Sequence, residues 1–105
     1  MTALTLTEAQ DGSTVPAQGA DTVVVELPES PTTGFRWSVD NGEEALEPTD
    51  ASFRPAAGGG LGGGGTRVFR YEIPAKRRSH IRLKLWRAWE GERSVTRRFD
   101  AWIEP

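Results

Sequence analysis

Side chains able to do covalent or metal chemistry are few in this sequence, and their spacing suits it poorly. There is no cysteine, which excludes a thiol nucleophile, a disulfide frame and a Cys-ligated zinc or iron–sulfur centre. His80 is the only histidine and falls among the outward-facing residues of an alternating segment. A Ser-His-Asp site would have to use it, and no serine stands in a nucleophile-elbow pattern. Glu43, Glu44 and Glu47 read as a solvated loop face rather than as paired catalytic carboxylates. Residues 60–65 formally fit G-x-G-x-x-G, but a run of glycine fits almost any glycine pattern. Thr66-Arg67 and a strand follow it, where a nucleotide loop needs a lysine and a helix. This inventory argues against an enzyme, a metal site and a cofactor. It favours a protein that acts by binding.

Three segments offer something to bind with. In Ser30-Pro31-Thr32-Thr33-Gly34-Phe35, Pro31 fixes its own φ and pushes Ser30 to an extended conformation. Gly34 lets the backbone turn or approach another surface, and two threonines supply short hydroxyls. Alone, the segment is also an ordinary inter-strand turn. Residues 58–65 hold seven glycines in eight positions, too many to pack a core. They make a loop of bare backbone that can pair with a partner as an added strand does. Arg87-Ala88-Trp89-Glu90 leaves a strand and enters a turn, with Trp89 past the end of the strand pattern. It is either a rigid exposed aromatic of the kind enriched in interface hot spots or a lid folded back over the sandwich.

The elements that position these loops repeat with period two. Val23, Val25 and Leu27 share a face; so do Phe35, Trp37 and Val39; Phe69, Tyr71 and Ile73; Ile81, Leu83 and Leu85; and Phe99, Ala101 and Ile103. Leu4 and Leu6 suggest a short N-terminal strand, and Phe53 another. Such alternation marks strands with one face in the core and one in water. No long helical period appears; Glu43–Glu47 allows one turn at most. Turn-formers lie between the runs, at Asp11-Gly12, 28–34, Asn41-Gly42, 55–65, 74–78 and 90–93. In 105 residues this predicts an all-β, antiparallel sandwich of about seven to eight strands in a single domain, 1–105. Its predicted core is Val23, Val25, Phe35, Trp37, Val39, Phe69, Tyr71, Ile81, Leu83, Leu85, Phe99 and Ile103. Trp86 and Trp102 fall on outward faces, covering either a sheet edge or each other.

Charge is divided along the chain. Residues 1–53 carry ten acids and one base, Arg36; residues 54–105 carry twelve bases and five acids. Interleaved strands would bring the two sets together. The competing reading is a basic face that meets nucleic acid through Arg67, Arg70, Arg77, Arg78, Arg82, Arg97 and Arg98. The longest apolar runs are three residues, which excludes a membrane-spanning helix. Residues 1–8 have neither a basic start nor an apolar core, so the chain as written is expected to be cytoplasmic unless an export segment precedes it.

Taken together, the three loops gain meaning from their order. Pro-Thr-Thr-Gly-Phe, then Gly-x-Gly-Gly-Thr, then Arg-x-Trp-Glu, each between alternating strands, resembles the chagasin family of cysteine peptidase inhibitors. That family's first motif, Asn-Pro-Thr-Thr-Gly-Phe/Tyr, stands here as Ser30 to Phe35; the second matches Gly62-Gly63-Gly64-Gly65-Thr66; the third, Arg-Pro-Trp, matches Arg87-Ala88-Trp89. The resemblance runs over roughly residues 21–103. It implies an immunoglobulin-like sandwich with three loops at one end, acting as a reversible, competitive inhibitor of papain-family peptidases. The implied peptidase-binding residues are Pro31, Thr32, Thr33, Gly34, Phe35, Gly62, Gly63, Gly64, Gly65, Thr66, Arg87, Trp89 and Glu90. The implied partner is a papain-family peptidase met by a monomer, with no metal, cofactor, nucleic acid or membrane. Two departures stand out: Ser30 in place of Asn, and Ala88 in place of Pro, both expected to loosen the loops. The alternative function is an immunoglobulin-like interaction or adhesion module without inhibitory activity.

Overall fold

Alternating side chains lock the chain into two sheets because each sheet has one apolar face to bury. A computed structural model describes residues 3–40, 45–56, 64–74 and 76–105. Among these, eight strands form: β1 (Ala3–Leu6), β2 (Thr14–Pro16), β3 (Thr22–Glu29), β4 (Arg36–Val39), β5 (Asp50–Pro55), β6 (Gly65–Glu72), β7 (Ser79–Trp86) and β8 (Arg97–Glu104). The only helical pieces among the described residues are four short 3-10 turns. One sheet runs β1-β3-β6-β5 and the other β2-β8-β7-β4. The proposed turn at Asn41-Gly42, and Glu43 and Glu44, lie outside the described residues.

The expected sandwich is present, with two refinements. The central pairings are antiparallel, but the edge strands β1 and β2 run parallel to β3 and β8. The second is β2 itself, which the pattern did not predict. At three residues, Thr14-Val15-Pro16, it is too short to show a period.

Most of the predicted core residues meet between the sheets. Val23, Val25, Leu27, Phe69 and Tyr71 face Trp37, Ile81, Leu83, Phe99 and Ile103, with Leu6, Ala17 and Ala101 completing the cluster. Each such large apolar side chain, once fully buried, favours the fold by about 1.5–3 kcal/mol. Val39 and Leu85 are only partly buried against this cluster. Phe35 is not in it. The residue lies just before β4, half-buried at the rim, with the Arg87 guanidinium 4.4 Å above its ring. Trp86 and Trp102 do not cover each other. Trp86 lies under Lys84 and donates to Ser38 Oγ (3.1 Å), while Trp102 is sandwiched between His80 and Arg78.

The acidic and basic halves do interleave. Glu29 pairs with Arg67, Asp40 with Arg82 and Arg98, Glu8 with Arg97, and Glu26 with Arg54. Of the seven arginines that would form a phosphate-binding face, Arg67, Arg78, Arg82, Arg97 and Arg98 are held in ion pairs. Register places Glu29 opposite Gly65, Arg36 opposite Trp86 and Leu85 opposite Arg97. The β3–β4, β5–β6 and β7–β8 connections therefore leave the sandwich at the same end.

Candidate functional site

At the base of the first loop stands a carboxylate on the core face. Continuing the inward series Val23, Val25, Leu27 leads to Glu29, whose side chain is fully buried. A buried carboxylate is costly unless ion-paired and hydrogen-bonded. Glu29 is both. Arg67 Nε and Nη2 donate to its Oε2 at 3.1 and 2.6 Å, and the Trp37 amide donates to its Oε1 at 2.7 Å. Trp37 Nε1 donates in turn to the Pro28 carbonyl at 2.9 Å. One carboxylate thus ties β3 and β6 of the first sheet to β4 of the second, and fixes both ends of the loop between β3 and β4. Glu29 and Arg67 were not among the expected site residues. The signal was present, since period two puts both on the core face, where a charge needs a partner.

Above this base, Pro31–Thr33 forms a 3-10 turn. The Thr33 amide and Oγ1 both donate to the Ser30 carbonyl, at 3.1 and 2.8 Å, and the Phe35 amide donates to Thr33 Oγ1 at 3.3 Å. Bracing thus comes from the Ser30 backbone and the Thr33 hydroxyl. Thr32 and Thr33 are exposed at the tip. Gly34 has φ +80°, a conformation that favours glycine, and a Cβ there would lie 2.9 Å from Trp89 Cη2.

The third loop reaches back to the first. Arg87 Nε and Nη2 donate to the Thr33 carbonyl at 3.1 and 2.9 Å, while its Nη1 lies 3.6 Å from Glu90 Oε1. Arg87 is therefore a positioning residue for the tip, and Glu90 balances its charge. Trp89 packs one edge on Gly34 and is otherwise 73% exposed, which settles it as a projecting aromatic rather than a lid. Ala88–Glu90 forms a 3-10 turn. Buried Ser94 closes the loop: its Oγ accepts from the Arg87 amide at 3.0 Å and lies 2.9 and 2.7 Å from the Arg87 and Gly91 carbonyls. Ser94 is a third supporting residue missed in the sequence, and nothing in the local pattern marks it.

The second loop is described at its ends. The Ala56 amide donates to the Gly64 carbonyl at 3.1 Å, and a Cβ on Gly64 would lie 3.3 Å from Ser30 Oγ. Gly65 and Thr66 are the first residues of β6, so they belong to the strand that carries the loop. At Gly65 a Cβ would come within 2.5 Å of the Arg54 carbonyl, so only glycine fits. Gly62 and Gly63 lie outside the described residues. Across the end of the sandwich the order is Gly64, Ser30, Thr33-Gly34, then Arg87 and Trp89. Among the described residues no His, Asp or Glu cluster could hold a metal ion.

Comparison with known proteins agrees with this arrangement. The profile described as chagasin family peptidase inhibitor I42 matches residues 17–103. Chagasin of Trypanosoma cruzi is 28% identical over 104 residues, covering 94% of each chain. The solution structure of amebosin superposes with a TM-score of 0.75 at 25% identity, over 99% of this chain and 98% of that one. The cysteine protease inhibitor EhICP2 of Entamoeba histolytica superposes with a TM-score of 0.74 at 18% identity, over 96% of this chain and 92% of that one, a likeness of fold. With the family profile spanning most of the chain, and the first and third motifs gathered with Gly64 at one end of the sandwich, this protein belongs to the chagasin family of peptidase inhibitors.

Proposed function

We propose that this chain is a reversible, competitive inhibitor of papain-family cysteine peptidases, acting as a monomer that wedges its loop end into the active-site cleft. The observation that carries this reading is the coupling of loops far apart in sequence. Arg87 holds the Thr33 carbonyl, Trp89 rests on Gly34, and Gly64 abuts Ser30. Thr32-Thr33-Gly34 projects as the tip nearest the catalytic thiol. Gly64 lines the substrate groove, and Trp89 grips the opposite rim.

The tip geometry also explains how such a wedge escapes cleavage. A peptidase that reads extended backbone needs an extended segment across its nucleophile. Here the tip is a 3-10 turn ending in a positive-φ glycine, held by three hydrogen bonds to Ser30 and Thr33 atoms and by the Arg87 fork. A rigid tip also loses little conformational freedom on docking, so more of the contact energy appears as affinity. An interface of ordinary size would bury about 1,600 Å² in total.

The test is titration of the folded protein against papain and a cathepsin-L-like enzyme. The expected result is inhibition that raises KM, leaves kcat unchanged and reverses on dilution. Absence of inhibition at micromolar concentration, by protein shown to be folded, would overturn the reading and favour a non-inhibitory interaction module.

A further inference from the structure

Beside the loop end, on the outer face of the β2-β8-β7-β4 sheet, lies a cleft of about 360 Å³ lined by Gly34, Arg36, Ser38, Trp86, Ala88 and Trp89. Its walls are two tryptophans. Trp86 is held on one face by Lys84 Nζ, 3.8 Å from its ring centre, and at its edge by its bond to Ser38 Oγ. Trp89 stands free above it. Arg36 lies directly across the strand pair from Trp86, on the edge strand β4.

The charges on this face single out Arg36. Every other cation carried by a strand of this sheet has an acidic partner: Arg78 lies just outside β7 and pairs with Glu104; Arg82 and Lys84 pair with Asp40; Arg97 with Glu8; and Arg98 with Asp40 and Glu92. Arg36 is exposed and has no ion pair among the described residues. It is the one base of the acidic half of the chain, and it stands at the mouth of a two-tryptophan cleft that shares Gly34 and Trp89 with the wedge.

We infer that this cleft is a secondary docking subsite for the target peptidase, taking a surface segment outside the substrate groove that carries an acidic residue beside an apolar side chain. The inference rests on the inhibitory reading above. The carboxylate pairs with the Arg36 guanidinium, and the apolar side chain fills the slot between Trp86 and Trp89. Continuity with the wedge means that a peptidase seated on Gly34 and Trp89 already covers the slot. The unpaired charge selects for acid and against base at that point. Arg36 and Trp86, both on strands, would then discriminate among peptidases that all accept the same loops.

The experiment compares wild type, Arg36→Gln and Arg36→Glu against papain and the cathepsin-L-like enzyme, with thermal unfolding as a fold control. For at least one enzyme, Arg36→Glu is expected to raise the inhibition constant about tenfold and Arg36→Gln by less, the charge reversal adding repulsion to the lost pair. The loss from Arg36→Glu should shrink at high salt. Changes of less than about twofold for both enzymes, or equal losses for the two variants, would overturn the inference. So would a wild-type dimer in solution that Arg36→Glu dissociates, since a second copy would then be the occupant. If wild type inhibits neither enzyme, it is the inhibitory reading that fails, and the two failures are told apart.

Discussion

At the scale of single residues, Trp89 and Gly34 are complementary tests of one contact. Trp89 is 73% exposed, so Trp89→Ala removes little packing from the folded chain. It should leave the thermal midpoint unchanged while weakening inhibition by about 2 kcal/mol or more. Equal losses of stability and affinity would contradict its role as a projecting contact. Gly34→Val should act through shape. A β-branched residue at φ +80° is strained, and its Cβ would displace the Trp89 ring. Affinity should fall at least as far as in Trp89→Ala, with circular dichroism still that of a β protein. The Glu29–Arg67 pair behaves differently, because its cost lies in stability. Arg67→Met strands a buried carboxylate and should lower unfolding free energy by about 3 kcal/mol or more, measured by urea titration. These residues also show what a sequence discloses. The place of Trp89 beyond the strand pattern left two readings, a projecting aromatic or a lid, and its exposure decides for the first. Burial of Glu29 and Arg67 followed from period two, but that pattern had to be read through charged residues as well as apolar ones.

At the scale of elements, the third loop shows how a departure from the family motif is compensated. Without Pro at position 88, rigidity is supplied by Ser94, whose hydroxyl serves both ends of the turn. Ser94→Ala should leave the Arg87 amide unpaired, costing about 1 kcal/mol of stability and loosening the Arg87 hold on Thr33. Ala88→Pro should do the reverse. Arg87 has ψ 106°, the extended conformation a following proline requires, and position 88 opens a 3-10 turn. Tighter inhibition by about 0.4–1 kcal/mol is expected, visible as a slower off-rate. Strands long enough to alternate were legible, as were the three loops between them. β2 was not, because its three residues are held by pairing with β8 rather than by any pattern of their own. Phe35 was misplaced for a related reason: it continues the alternation of Trp37 and Val39, but the chain has already turned into the loop and the Arg87 guanidinium covers the ring.

At the scale of the whole molecule, stability in alkali depends on Tyr71. Its hydroxyl is buried and has no hydrogen-bond partner among the described residues, and burial, followed by the Glu47 charge, pushes its phenol well above the usual tyrosine range. The unfolded chain therefore ionises first as pH rises. Stability should be intact below about pH 10 and decline above it. Tyr71→Phe should flatten that decline, and should raise stability at neutral pH by about 1 kcal/mol by removing the unpaired hydroxyl. Urea midpoints across the alkaline range would check both. The parallel edge strand β2 carries one more consequence, concerning synthesis. Val15 lies opposite Ile103, so β2, the second strand in chain order, is completed only by β8, the eighth. The second sheet cannot close until residues 97–104 have left the ribosome, which puts assembly in the slow class of folds dominated by distant pairings. Until then the exposed nascent half carries ten acids against a single base, Arg36. Mutual repulsion opposes collapse of that half while it waits, and the arginines that neutralise it are the very ones that arrive with the strands it needs.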